Sequence, residues 1–325
     1  MDGYREFGGT EDGAAGESQP RRSEPSIVPL IRSDIIGADA SFIGPFGEKP
    51  LIYCDWTASG RCLGSIERYI EKNVLPLYGN THTTTSITGH QSTCFRDEAR
   101  KIIAQSVNAK ITGRAAEDLV LFTGNGTSGA IQKLVLALEL HIPLPQTAVE
   151  EDRPVVFVSR YEHHSNLLVW RETIAEVVVV DYHDKTGVCL SDLTQRLEEY
   201  RNRKLIIGSF SAASNVTGIM TDVQNVAILI HRARGLAFFD YAAAAPYCRI
   251  EMNPTVIGAD SHHAYLDAVF FSGHKFLGGP GSPGGTCTYG HDDPVTIMQF
   301  SWSSRRSCHL KAISLLCPGE EPCST

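Results

Sequence analysis

The sequence predicts an α/β fold: a three-layer, mainly parallel sheet flanked by helices. Two observations carry this. Short β-branched runs alternate along the chain with stretches of helical period. Several of those runs are apolar at consecutive positions, the pattern of strands covered on both faces. A chain of 325 residues, 42% hydrophobic, suits one large domain or two smaller ones. At that length on the order of 75% of the unfolded surface can be buried, so neither disulfides nor metals are required for stability.

Residues 1–26 are rich in Gly, Glu, Ser and Arg with almost nothing apolar, the composition of a disordered tail. The globular pattern fills 27–290. Strands are expected at 118–123 (DLVLFT), 155–159 (VVFVS), 175–182 (AEVVVVDY), 204–210 (KLIIGSF), 235–240 (GLAFFD) and 266–272 (LDAVFFS). Between the first two, Ile131, Leu134, Val135 and Leu138 recur at helical spacing within 128–140. Helices are expected also at 191–200 and 222–234, with Ser191 and either Thr221 or Asp222 as N-caps. From about His291 the pattern breaks. Residues 291–325 form an atypical C-terminal tail, too short for a second domain.

Charge and cysteine usage narrow the function classes. With 29 Lys+Arg against 37 Asp+Glu the net charge is −8, which argues against nucleic acid or an anionic membrane surface as partner. No apolar run approaches the roughly 18 residues of a membrane span, and the N-terminus lacks a signal-peptide core. Nine Cys without a CxxC pair read as reduced thiols, so a cytoplasmic protein is expected.

In open parallel sheets, ligands bind beyond the carboxyl ends of the strands. The residues that follow the expected strands are Gly124-Asn125-Gly126-Thr127-Ser128-Gly129, Glu162-His163-His164-Ser165-Asn166, Ser214-Asn215, Asp240 and Gly273-His274-Lys275. Phosphate donors, an imidazole, an amide, a carboxylate and an amine thus converge on one edge. GNGTSG matches the dinucleotide signature G-x-G-x-x-G, and a helix N-terminus suits any phosphate. The nicotinamide reading also wants an acid after the next strand, where Arg160 stands; a plain structural turn is the third reading. GPGSPG repeats the pattern at Gly279, Gly281 and Gly284 without a helix behind it. A lone Lys275 would ordinarily snorkel or pair with an acid. A desolvated lysine is also what forms a Schiff base, and pyridoxal phosphate gives every group on this edge a use. Metal is not expected: the adjacent pairs His163–His164 and His262–His263 have no third ligand placed with them. GTSGA does not complete a serine-hydrolase elbow.

From Leu51 to Gly285 the chain resembles the class V aminotransferase family of pyridoxal-phosphate enzymes, which includes cysteine desulfurases and selenocysteine lyases. The pieces, in order, are YCDWTASGR, the Asn80/His82 segment, TGNGTSGAIQ, SRYEHHSNLLVW, SAASNVTG, FFDYAAA and FFSGHKFLGGPG. The resemblance implies the major domain of the pyridoxal-phosphate transferase fold and a homodimer acting on a small amino-acid substrate. It implies that Lys275 holds the cofactor as a Schiff base and moves the Cα proton, and that Asp240 pairs with the pyridine nitrogen. His163 would stack on the ring; Gly126, Thr127, Ser128, Ser272 and His274 would bind the phosphate; Asn215 would lie beside the phenolic oxygen. The segments 55–59 and 80–82 would line the substrate side. Bland roles stay open for three of these: Asp240 as a capping or paired acid, His163 as a core histidine, Asn215 as a turn residue.

The chain departs from the family twice. Where relatives carry a glutamine three residues after the aspartate, this chain has Ala243. The family's smaller C-terminal domain, with its carboxylate-binding arginine and, in desulfurases, a sulfur-accepting cysteine, is largely missing, which is expected of a truncated chain. Arg305, Arg306 and Cys308 sit in surroundings that match nothing in the family. The expectation is therefore a pyridoxal-phosphate enzyme, desulfurase- or lyase-like, or an aminotransferase. The alternatives are a nicotinamide oxidoreductase and a catalytically silent module that keeps the fold.

Overall fold

The computed structural model describes residues 27–112, 118–183 and 187–289. The expected tails, 1–26 and 291–325, lie outside them. The described chain opens with α1 (Val28–Asp34), the hairpin β1 (Ser41–Gly44) and β2 (Gly47–Pro50), α2 (Gly64–Tyr69) and α3 (Ile87–Ser106). There follow β3 (Asp118–Gly124), α4 (Gly126–Ala137), β4 (Val155–Ser159), α5 (Leu168–Arg171) and β5 (Glu176–Val180). A two-stranded ribbon, β6 (Tyr182–His183) and β7 (Gly187–Val188), leads to α6 (Leu190–Glu199), β8 (Ile206–Ser211) and α7 (Val223–Arg232). The last strands are β9 (Leu236–Asp240), β10 (Ala268–Ser272) and β11 (Gly284–Tyr289).

Seven strands form the main sheet in the order β3-β11-β10-β9-β8-β4-β5. The run from β10 to β5 is parallel throughout; β11 is antiparallel to both β10 and β3. Consecutive residues of one strand point to opposite faces, and both faces are apolar. Phe157, Phe210 and Phe239 enter one core with Val226 and Ile230 of α7 and Leu193 of α6. Val156, Val158, Phe238 and Phe270 enter the other with Ile131, Leu134 and Val135 of α4 and Trp170. This two-sided burial is why β4, β9 and β10 each read as four consecutive apolar residues, and it makes the three layers.

Four differences from the sequence reading have local causes. The run 175–182 is two strands, since Asp181 leaves the sheet and its backbone N–H bonds to Asp192 Oδ2. Helix α6 starts at Leu190 with Cys189 as N-cap and no side-chain cap, so Ser191 lies inside the first turn rather than capping it. At α7 the cap is Asp222, one of the two residues expected there, accepting from Asn225 N at 3.2 Å. Helix α3 escaped because only Gly89 and Ala104 of its residues are buried, which leaves no apolar stripe to read. No strand is expected after GPGSPG, yet β11 begins at its last glycine, Gly284, and inserts between β3 and β10.

Candidate active site

The carboxyl ends of β3, β4, β8, β9 and β10 open on one edge, and register fixes the neighbours there. Ser211 ends β8 opposite Asp240 of β9, and Phe270 of β10 stands opposite Asp240 from the other side. A narrow cleft at this point is lined by His163, Ser211, Ala213, Asn215, Asp240, Ala242, Ala243 and Lys275. A broader groove elsewhere, between α6 and α7 around the Arg232–Asp260 ion pair, contains none of the expected residues.

Two groups of different charge meet in the cleft. Asp240 is 4% exposed, and among the described residues its carboxylate accepts one hydrogen bond, from Ala242 N to Oδ1 at 2.8 Å. Burial foremost, with the charge of Glu162 adding to it, pushes its pKa up to about 7, against the pull of that hydrogen bond and of Lys275. Lys275, half-buried, is held below the usual lysine range by desolvation, partly offset by Asp240 and Asp55. A short helical turn, Gly273–Lys275, presents the amine directly after β10.

Beside the cleft, β3 turns into α4 through Gly124 and Gly126, both in the left-handed region at φ +82° and +61°. A Cβ on Gly126 would stand 3.0 Å from Ser272 Oγ, so the glycine lets the backbone approach the end of β10. Ser272 Oγ accepts from Thr127 N at 3.2 Å and lies 3.1 Å from Thr127 Oγ1, both residues being buried. Amide, hydroxyls and the α4 N-terminus thus gather where an anion is favoured.

A chain of hydroxyls joins this anion cradle to the imidazole. Ser128 Oγ donates to Ser165 Oγ at 2.7 Å, and Ser165 Oγ lies 3.0 Å from His163 Nδ1. Ser165 N also donates to Nδ1 at 3.2 Å, which leaves the ring proton on Nε2. Desolvation, then the charges of Lys275 and His164, hold His163 below the usual histidine range, so the ring is neutral at pH 7.

His274 turns away from the cradle toward the N-terminal segment. Its Nδ1 lies 3.2 Å from Ser59 Oγ, and its carbonyl accepts from Gly60 N at 2.9 Å. Gly60 is required here, since a Cβ would come within 2.0 Å of Phe276 O. This pins residues 55–60 against the Lys275 turn and explains why Lys275 feels Asp55. The Asn80–His82 segment instead contacts α3: His82 Nδ1 lies 3.4 Å from Arg96, and a Cβ on Gly89 would crowd Asn80 O.

The structure therefore brings His163, Asn215, Asp240 and Lys275 around one cleft, and Gly126, Thr127 and Ser272 around the cradle. Ser128 links the two, whereas His274, expected at the phosphate, bonds to Ser59 and Gly60 instead. Sequence reasoning missed Ser165, Gly60 and the buried acid Glu162. The spacing Glu162, Asn166, Trp170 inside EHHSNLLVW was the available signal, four residues apart each time.

Comparison with known proteins bears on the family and the fold. The family model for aminotransferase class-V matches residues 52–296. A probable cysteine desulfurase of Pseudomonas aeruginosa is 28% identical over 75% of this chain and 55% of its own length. Another from Pyrococcus abyssi is 23% identical over 71% of this chain and 52% of its own. The chain thus spans about half the length of the curated relatives it matches. Among solved structures, a cysteine desulfurase from Thermococcus onnurineus superposes with TM-score 0.61 at 20% identity, covering 82% of this chain and 58% of that one.

Proposed function

Because the chain belongs to the aminotransferase class-V family, we propose that it is a pyridoxal-phosphate-dependent enzyme acting on an amino acid through a Schiff base at Lys275. Desulfurase- or lyase-like chemistry is the first candidate and transamination the second. The observation that carries this is the half-buried amine of Lys275 opposite the fully buried, singly hydrogen-bonded carboxylate of Asp240 across one cleft.

The residues fit the cofactor by their donor chemistry. A buried carboxylate with unused lone pairs suits a protonated ring nitrogen, and the Gly126–Thr127–Ser272 cradle suits a phosphate. Bound pyridoxal phosphate supplies an electron sink for charge developing at the substrate Cα. The chain's own residues do the rest. Lys275, its ammonium disfavoured by burial, offers a larger neutral fraction for attack on a carbonyl and then for carrying the Cα proton. Asp240 holds a positive ring nitrogen. His163, neutral with its proton on Nε2, offers a flat face at the cleft without competing charge. Asn215, exposed at the rim, is placed to meet an oxygen substituent of the ring. With Ala243 in the cleft wall, no side-chain amide reaches that oxygen from this position, a loss of roughly 1 kcal/mol.

The nicotinamide reading has less support. Arg160 follows β4 and pairs with Asp181 at 2.9 Å, where a ribose-binding acid would be needed. The proposal also takes residues 27–290 as the cofactor domain, the cytoplasm as location and a homodimer as working form. Among the described residues no helix is long and apolar enough to cross a membrane. Titrating the purified protein with pyridoxal phosphate tests the proposal. A visible band that Lys275→Ala abolishes supports it; a protein that stays colourless overturns it. Amino acids added afterwards separate a working enzyme from a silent module.

A further inference from the structure

Behind the cleft lies a buried acid, Glu162, that pairs with no cation among the described residues. Glu162 sits in the turn after β4, one residue before His163, and is buried. Its carboxylate takes hydrogen bonds from Ser159 N and Oγ (3.3 and 2.6 Å), Ser211 N and Oγ (3.0 and 2.7 Å) and Asn166 Nδ2 (2.7 Å). The two backbone N–H groups cannot turn away. Nor can the Asn166 amide, because its Oδ1 accepts from Trp170 Nε1 at 3.1 Å and from Ser209 Oγ at 2.6 Å. These fixed donors suit an acceptor-only group, which is a carboxylate. Burial pulls the other way and raises the Glu162 pKa.

Burial of a charge is costly unless it is paired or hydrogen-bonded, and here the five donors do the compensating. Two consequences are visible. Through Ser211 and Asn166, Glu162 ties the His163 turn to the end of β8. Ser211 stands in register with Asp240, so the acid is anchored directly behind the cleft floor. Asp240 is faced by Glu162 from the β4 turn and by Lys275 from the turn after β10; Lys275 is faced in addition by Asp55.

We propose that Glu162 is a positioning residue of the cofactor site: it clamps the His163 turn to β8 and sets a negative charge behind Asp240 that favours a protonated ring nitrogen on it. This rests on the pyridoxal-phosphate reading above. Clamp and charge are separable. Glu162→Gln keeps the size, removes the charge and turns an amide N–H toward fixed donors. Glu162→Asp keeps the charge but falls one methylene short of spanning Ser211 and Asn166.

The test uses the full chain loaded with pyridoxal phosphate and reads the pH midpoint of the visible band, the induced circular dichroism of the cofactor and its dissociation constant. Removing a nearby negative charge disfavours the protonated form, so E162Q lowers the midpoint by about one pH unit. E162D leaves the midpoint within error of wild type, weakens binding about tenfold and diminishes the dichroism. An E162Q midpoint equal to wild type overturns the charge role. Wild-type affinity and dichroism in E162D overturn the clamp, and that variant decides this even if E162Q does not fold. A wild type that gains no band overturns the cofactor reading itself. A wild type that gains it while both variants behave identically to it overturns only the role of Glu162.

Discussion

Asp240 is held in the folded protein against its own preference, and this has a measurable cost. Its pKa of about 7 in the fold stands against an ordinary 3.8. At roughly 1.4 kcal/mol per unit, a carboxylate ionised at pH 9 destabilises the apo fold by about 4 kcal/mol relative to low pH. The sign follows from the raised value. Stability associated with Asp240 is fully present below the unfolded pKa and is lost as pH rises through about 7. Asp240→Asn removes the titration while preserving the acceptor for Ala242 N. Urea unfolding of apo wild type and variant across pH 5–9 should therefore give a stability difference that moves in the variant's favour by about 3 kcal/mol over that range. The same substitution should weaken pyridoxal-phosphate binding, because the ring nitrogen loses its anion. A stability difference that stays constant from pH 5 to pH 9 would refute the reasoning: Asp240 would then be an ordinary solvated or paired acid, not a strained site residue.

Other substitutions separate the parts of the site. Thr127→Val removes the hydroxyl 3.1 Å from Ser272 Oγ and one anion donor, so the affinity for pyridoxal phosphate should fall about tenfold, as isothermal titration would read, with the fold retained. Gly60→Ala forces a Cβ within 2.0 Å of Phe276 O and should separate residues 55–60 from the Lys275 turn, lowering the melting temperature and cofactor retention together. Trp170→Phe leaves Asn166 Oδ1 without its indole donor in a buried setting. It should cost about 1–3 kcal/mol in urea unfolding while leaving the phosphate cradle intact.

How much of this was legible depends on the range of the interactions involved. The parallel core of the sheet was readable because β4, β8, β9 and β10 are buried on both faces, and two-sided burial writes itself as consecutive apolar residues. Strand β11 was not, since Gly284 and Gly285 follow two prolines and a glycine, and only pairing with β3 and β10 makes the segment extended. Helix α3 is mostly only partly buried, with Gly89 and Ala104 its buried residues, and carries no apolar stripe. In the site, the residues at strand ends could be placed by topology alone, so His163, Asp240 and Lys275 were found together. Ser59, Gly60 and the segment they belong to come from 215 residues upstream of His274, a separation no local pattern bridges. Glu162 stood in plain view beside His163. Its significance arises from Ser211, 49 residues later, whose amide and hydroxyl it accepts.

The proposed function stands or falls with Lys275 as the covalent anchor of the cofactor. Wild-type protein incubated with pyridoxal phosphate, reduced with borohydride, digested and examined by peptide mass spectrometry tests it most directly. A stable phosphopyridoxyl adduct is expected on the peptide bearing Lys275, at near one equivalent per chain. An adduct spread over surface lysines, or one that persists undiminished in Lys275→Ala, would contradict it.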